Sequence, residues 1–375
     1  MKICLIGPAP PLRGGIAHYN TQLAFELAKR HQVSAISFSR QYPALLFPGR
    51  SQLDPSPHVS GPIAEALLDS INPLSWLRAS RRIARHAPDL IVVHWWNPFF
   101  APCIGATVRL VKRRGRAVIA FICHNVVPHE PVPLARSLTR FALAAGDAWL
   151  VLSMADRRDL ESLGLHGTTL VTPQPPPTGF GDPLSKEDAR RRLSLAGPTL
   201  LYFGLIRSYK GLPNLIEAMP AVVNRVDCTL LVVGEFYERK EPILNLVQRL
   251  GLESRVRIID RFVPNQEVSL YFSAADLVVL PYESATQSGI VPMAYAFERP
   301  VIATRVGGLP ELVHEGETGF LVEPGNPRAL AEAIIRYYSE GREAQFRRRI
   351  LDRSRFSWEE LVRRLESVAT AGTRR

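Results

Sequence analysis

Short, continuously apolar runs recur along the chain in two series, each run followed by an amphipathic stretch, and this alternation constrains the fold more than any other feature. The runs lie at residues 2–7, 33–38, 90–94, 117–123 and 148–152, then at 199–204, 228–234, 255–260, 277–280, 301–303 and 319–322. A strand covered on both faces has no polar side to show, so it reads as unbroken hydrophobicity, and it needs a crossover helix to return parallel to its neighbour. The expectation is an α/β protein with two Rossmann-like, doubly wound sheets, each covered by helices on both faces.

The two series are separated by Thr172-Pro173-Gln174-Pro175-Pro176-Pro177-Thr178-Gly179-Phe180-Gly181-Asp182-Pro183, where prolines remove ladder donors and hold the chain extended. Residues 172–184 are therefore read as a linker, with one domain over 1–175 and a second over 185–355. A chain of 375 residues has room for two cores, and a 46% hydrophobic share with 22% charged residues sits close to a globular average, so disorder is not the default. The run from Phe356 through Ser357, Trp358, Glu359 and Glu360 to Leu365 reads as a last helix, with Ser357 as N-cap and Glu360 completing a capping box.

The opening apolar run stops at Gly7 and Pro8, far short of a secretory leader or a spanning helix, so a cytoplasmic location is expected. Cys4, Cys103, Cys123 and Cys228 have neither zinc-site spacing nor disulfide density, and are expected as buried reduced thiols. The formal net charge of +11 calls for an anionic partner. The surplus gathers in Arg78, Arg81, Arg82 and Arg85 and in Lys112-Arg113-Arg114-Gly115-Arg116, which suit either an anionic membrane surface or plain solvation of helix faces. No nucleic-acid motif with interleaved aromatics accompanies them, so nucleic acid is not expected as a partner.

The chemistry-bearing residues lie just past the apolar runs, where open α/β sheets bind ligands. Gly14 and Gly15 open the first helix and would let an anion approach backbone amides. His124 follows the run at 117–123; it could act as an acid or base, donate a hydrogen bond to a sugar hydroxyl, or, less readily, ligate a metal with His129 and Glu130. His94 with Trp95 and Trp96 could line a sugar or lipid site or simply pack at a strand end. Arg207 and Lys210, after the run at 199–204, could grip a diphosphate, one as a fork and one as a point charge. Thr286, Gln287, Ser288 and Gly289 could add donors and a nest of amides, a device repeated at Gly307 and Gly308.

Taken in order, these segments resemble the GT-B glycosyltransferases of family 4 over nearly the whole chain. The most specific stretch is residues 277–322, with Pro300-Val301-Ile302-Ala303-Thr304, Gly307-Gly308-Leu309-Pro310-Glu311 and Glu317-Thr318-Gly319-Phe320-Leu321-Val322 in the family's order and spacing. The resemblance implies two domains facing across a cleft, with the final helix returning to the first domain, so that residues 356–375 belong with 1–175. It places Lys210 in the family's phosphate-gripping lysine position. The family's arginine directly follows the glycine, where this chain has Leu205, and the role passes to Arg207.

By the same resemblance His124 is the active-site histidine, Gly14 and Gly15 form the glycine loop, Gly234 and Glu235 line the donor pocket, and Phe262 with Val263 belongs to the backbone that reads the base. The family's paired glutamates would fall at Ala285 and Met293, so both are missing, and Glu283 is the nearest substitute.

The implied activity is transfer of a sugar from a nucleoside diphosphate sugar to an acceptor hydroxyl, with retention and without a metal or other cofactor. The acceptor is expected to be lipid-linked and the product a polysaccharide or cell-envelope glycan. A phosphorylase or epimerase on the same fold is a second enzyme reading. A non-catalytic partner subunit that binds nucleotide sugar is the reading suggested by the lost glutamates.

Overall fold

The apolar runs become the strands of two parallel sheets. The computed structural model describes residues 1–47, 49–55, 64–127, 133–353 and 357–372, and divides into two compact units, Met1–Pro175 with Phe356–Arg375, and Pro176–Arg355. The strands are β1 (Lys2–Ile6), β2 (Gln32–Arg40), β3 (Ala64–Asp69), β4 (Leu90–Trp95), β5 (Val118–Cys123), β6 (Ala148–Val151) and β7 (Thr168–Val171), then β8 (Thr199–Phe203), β9 (Thr229–Val233), β10 (Val256–Ile259), β11 (Leu277–Leu280), β12 (Val301–Thr304) and β13 (Gly319–Val322). The helices are α1 (Gly15–Ala28), α2 (Pro73–His86), α3 (Ala101–Lys112), α4 (Ala135–Leu143), α5 (Met154–Ser162), α6 (Lys186–Leu193) and α7 (Leu212–Val223). They continue with α8 (Glu241–Arg249), α9 (Asn265–Ala274), α10 (Ile290–Ala296), α11 (Leu309–Leu312), α12 (Pro327–Ser339), α13 (Glu343–Arg353) and α14 (Trp358–Gly372).

In the first unit the sheet order is β3-β2-β1-β4-β5-β6-β7, so the chain builds outward from β1 and then returns to lay down β4 on its other side. β1 and β4 therefore flank the topological switch point, where open α/β sheets bind their ligands beyond the strands' carboxyl ends. Successive residues of these strands feed opposite cores. Cys4, Ile6, Ile91, Val93, Ile119 and Phe121 pack on one face, and Ile3, Leu5, Leu90, Val92, Val118 and Ala120 on the other. This two-sided burial is what made the runs continuous.

The second face is closed by α1 and by α14, which brings Trp358, Leu361, Val362, Leu365, Val368 and Ala369 onto the sheet of the first unit. Ser357 Oγ caps α14 by accepting from the Glu360 amide at 3.2 Å. The Glu360 carboxylate turns instead to Arg363 and Arg364, so the expected capping box is realised in one half.

The second unit repeats the plan with order β10-β9-β8-β11-β12-β13, and its switch point lies between β8 and β11. Leu200, Tyr202, Leu230, Val232 and Val279 face α7, α8 and α12, while Leu201, Phe203, Leu231, Val233 and Val278 face α6 and α9. All four cysteines are buried and unpaired, and burial pushes the Cys4 and Cys103 thiols up to about 12. Among the described residues no helix is long and apolar enough to cross a membrane.

The basic cluster is partly consumed inside the first unit. Arg82 forks onto Glu65 with contacts of 2.8–3.0 Å, and Lys112 bonds Asp147 at 2.5 Å. Arg78, Arg81 and Arg85 stay exposed along α2.

Candidate active site

In the first unit, β4 and β5 run side by side and carry the two histidines to their carboxyl ends. The His124 amide donates to the Trp95 carbonyl at 2.8 Å, which seats His124 one step beyond the ladder. Its ring stacks on His94 at 5.2 Å, with His94 Nδ1 and His124 Nε2 2.9 Å apart. Tyr19 of α1 meets both rings edge-on, at 5.8 and 5.1 Å. Burial lowers the His124 imidazole to about 4 and pushes His94 well below the ordinary histidine range, so both rings are neutral near pH 7.

Gly14 has φ 115 just before α1, a value that L side chains rarely adopt. Gly15 has an ordinary φ, and a Cβ at either position would meet nothing within 4 Å. His129 and Glu130, the other members of the metal alternative for His124, lie outside the described residues. Of the two readings open for Trp95, packing at the strand end holds, since it is fully buried in the core, while Trp96 donates through Nε1 to Tyr42 at 3.3 Å.

In the second unit, the loops after β8 and β11 flank the switch point and touch repeatedly. The Glu283 amide donates to the Tyr209 carbonyl at 2.8 Å. Gly211, at φ +65, lies so close to Pro281 that a Cβ would strike its carbonyl. Lys210 Nζ sits 5.6 Å above the Tyr282 ring and 3.2 Å from where a Gly204 Cβ would be. Desolvation, then the neighbouring Arg207, lowers the Lys210 ammonium to about 8. The residue as a whole is half-buried, and it is the ammonium end that is desolvated. Among the described residues no carboxylate pairs with it.

Arg207 lies 5.4 Å over the Tyr237 ring, and the Ser208 amide donates to the Glu238 carboxylate at 3.0 Å. Gly234 packs against the Gly204 carbonyl with φ 154, leaving no room for a side chain. The Glu235 carbonyl accepts from the Ile206 amide at 2.9 Å. Gly204, Arg207, Lys210, Gly234, Glu235, Tyr282 and Glu283 are thus gathered at one carboxyl edge. Phe262 and Val263 follow β10, two strands away from β8, and the Val263 side chain is part of the core.

Ser288 Oγ already accepts from the Ile290 amide at 3.2 Å and lies 3.4 Å from Tyr282 Oη. The expected nest of free amides at Ser288 and Gly289 therefore loses the Ile290 donor, and α10 spans only 7 residues. Thr286 is buried and its carbonyl accepts from the Gly308 amide at 2.9 Å, while Gly289 is exposed and Gln287 is half-buried.

Two family models match in tandem: Glycosyltransferase Family 4 over residues 13–174 and Glycosyl transferases group 1 over residues 197–340. Together they take in most of both units. The chain is a family 4-like glycosyltransferase of the GT-B fold.

Among relatives, this glycosyltransferase is 35% identical over 162 residues to D-inositol 3-phosphate glycosyltransferase of Corynebacterium glutamicum, a match covering 41% of the chain and 38% of that relative's length. The matched stretch thus spans well under half of that protein. A putative teichuronic acid biosynthesis glycosyltransferase, TuaC of Bacillus subtilis, is 29% identical over 289 residues, covering 71% of this chain and 68% of TuaC. HepE of Anabaena, solved in complex with UDP, superposes with a TM-score of 0.76 at 18% identity, covering 99% of this chain and 100% of that one. At that identity the likeness speaks for the fold.

The glycosyltransferase departs from its family at Ala285, which is buried, and at Met293, which is half-buried, where carboxylates would be expected. The Glu283 carboxylate is exposed and accepts from Asn214 Nδ2 at 3.2 Å. Sequence reasoning missed Tyr282 and Asn214, and it left His94 undecided. The signal available for His94 was its place at the end of the run preceding the one that ends in His124.

Proposed function

We propose that the enzyme moves a sugar from a nucleoside diphosphate sugar to an acceptor hydroxyl, with retention of configuration, in the synthesis of a polysaccharide or cell-envelope glycan. The observation that carries this reading is Lys210, desolvated beside Arg207 at the switch point of the second unit and unmatched by any described carboxylate. A cation kept out of water without a partner is costly, and a diphosphate would supply the missing charge.

As the glycosidic bond breaks, negative charge grows on the departing diphosphate, and Lys210 and Arg207 would stabilise it more in the transition state than in the ground state. Solved complexes of HepE with UDP and with UDP-glucose make a uridine donor the first to try. His124, neutral at physiological pH, would donate a hydrogen bond to the transferred sugar. Glu283 would take up part of the work of the absent glutamates, and neither a metal nor another cofactor is needed for these steps.

The acceptor is proposed to be lipid-linked, reached from an anionic membrane surface. Leu74, Arg78, Arg81 and Arg85 recur at helical spacing on the exposed side of α2, opposite buried Ser75, Ala79 and Ile83. Such cations gain about 1 kcal/mol each near acidic lipid.

A thermal-shift panel of UDP, GDP, ADP and TDP sugars tests the donor reading, since a ligand held by the folded state raises apparent stability. At least one member should raise the melting temperature in a concentration-dependent way. No shift and no transfer from any of them would remove the reading.

A further inference from the structure

His94 is completely buried at the end of β4, and the chain makes unusual room for it. At Gly7, which follows β1, a Cβ would come within 2.8 Å of the His94 ring. The ring is hemmed in by Tyr19 of α1 and by His124, and its Nε2 has no hydrogen-bond partner among the described residues.

A neutral imidazole has one N–H and one lone pair, so hydrogen-bond accounting fixes where the proton sits. An N–H buried without an acceptor is costlier and rarer than an unmet acceptor. The His94 proton therefore belongs on Nδ1, the atom 2.9 Å from His124 Nε2. His124 Nε2 is then the acceptor of that bond. A neutral His124 must carry its own proton on Nδ1.

We propose that His94 is a positioning residue that locks His124 in the Nδ1–H tautomer, so that His124 meets the transferred sugar as a neutral donor and not as a base. This rests on the reading of His124 as a sugar-contacting group. Among the described residues, the further ring contact of the pair is with the Tyr19 phenol from α1, whose own ring lies 5.0 Å from that of Trp358 of α14. Neither supplies a charge that would shift the proton.

The first test reads the tautomer directly in the free protein, by nitrogen NMR of the histidine-labelled full chain at neutral pH, with His94→Asn and His124→Gln used for assignment. His124 should show a pyridine-type Nε2 and a pyrrole-type Nδ1. A protonated Nε2 would overturn the proposal whether or not sugar transfer is observed, so the outcome is separate from the fate of the donor reading.

The second test compares two replacements kinetically. His94→Phe keeps the ring that fills the space beside Gly7 but cannot donate, and should lower kcat about 10- to 100-fold, the scale seen when the orienting partner of a metal-bound histidine is removed, with little change in donor KM. His94→Asn places an amide N–H near the former Nδ1 and should recover most of that loss. Equal rates for His94→Phe and wild type, or an asparagine variant as slow as the phenylalanine one at matched thermal stability, would refute the positioning role.

Discussion

Lys210 and Tyr282 come from loops after two strands that are neighbours in the sheet but far apart in the chain, and the ammonium lies 5.6 Å from the centre of the phenol ring. The aromatic face offsets part of the cost of burying the charge without neutralising it. Lys210 is thereby kept cationic enough to bind an anion and poorly solvated enough to favour one.

That environment gives two pH trends of opposite sign. The folded value of about 8 lies below the ordinary value of 10.5, so between them the unfolded chain holds a proton that the folded chain has released. The contribution of Lys210 to stability therefore rises with pH across that window. A bound diphosphate favours the charged form, so donor affinity should fall as pH rises through the same range. Titration calorimetry in buffers of different ionisation enthalpy, near the pH at which Lys210 is half charged, should show proton uptake on binding; proton release would contradict the assignment.

Gly211 holds the two loops of the second unit together. Gly211→Ala would place a methyl group against the Pro281 carbonyl at a φ of +65, a conformation that costs about 1–3 kcal/mol for a non-glycine residue even without the collision. Denaturant unfolding should show at least that loss. A variant as stable as wild type would mean that the loops lie farther apart than described.

Glu283→Gln removes a carboxylate while leaving the main-chain bond from Glu283 to Tyr209 in place. Steady-state kinetics should show a several-fold rise in donor KM, at the scale of about 1 kcal/mol for one polar contact. Unchanged turnover and donor affinity would take Glu283 out of the site.

The inner strands were legible because they are buried on both faces, as β4 and β5 are throughout. β3 and β7 were not: they are only partly covered and lack the short apolar run that made even the edge strands β10 and β13 readable. Glu65 interrupts the first of them, and the two threonines of the second read as loop. The candidate site was read from the sequence as loops beyond strand ends. Tyr282 escaped notice because its role depends on β8 and β11 being adjacent, which no local pattern encodes. Arg82 looked like surface charge for the same reason, since Glu65 lies 17 positions away and is brought near only by the packing of α2 on β3.

The exposed side of α2 can be reversed without touching its buried side. Combined Arg78→Glu, Arg81→Glu and Arg85→Glu changes should abolish co-sedimentation with vesicles containing acidic lipid and leave the melting temperature within the small range expected of surface substitutions. Undiminished binding would move the membrane contact elsewhere or remove it.

The most direct measurement is product formation by Lys210→Ala in the presence of whichever nucleoside diphosphate sugar the wild-type enzyme uses. Loss of one fixed charge facing a leaving diphosphate should reduce kcat about 10²- to 10³-fold, with the fold intact by circular dichroism. Turnover close to wild type would contradict the assignment of the second unit's switch point as the diphosphate site.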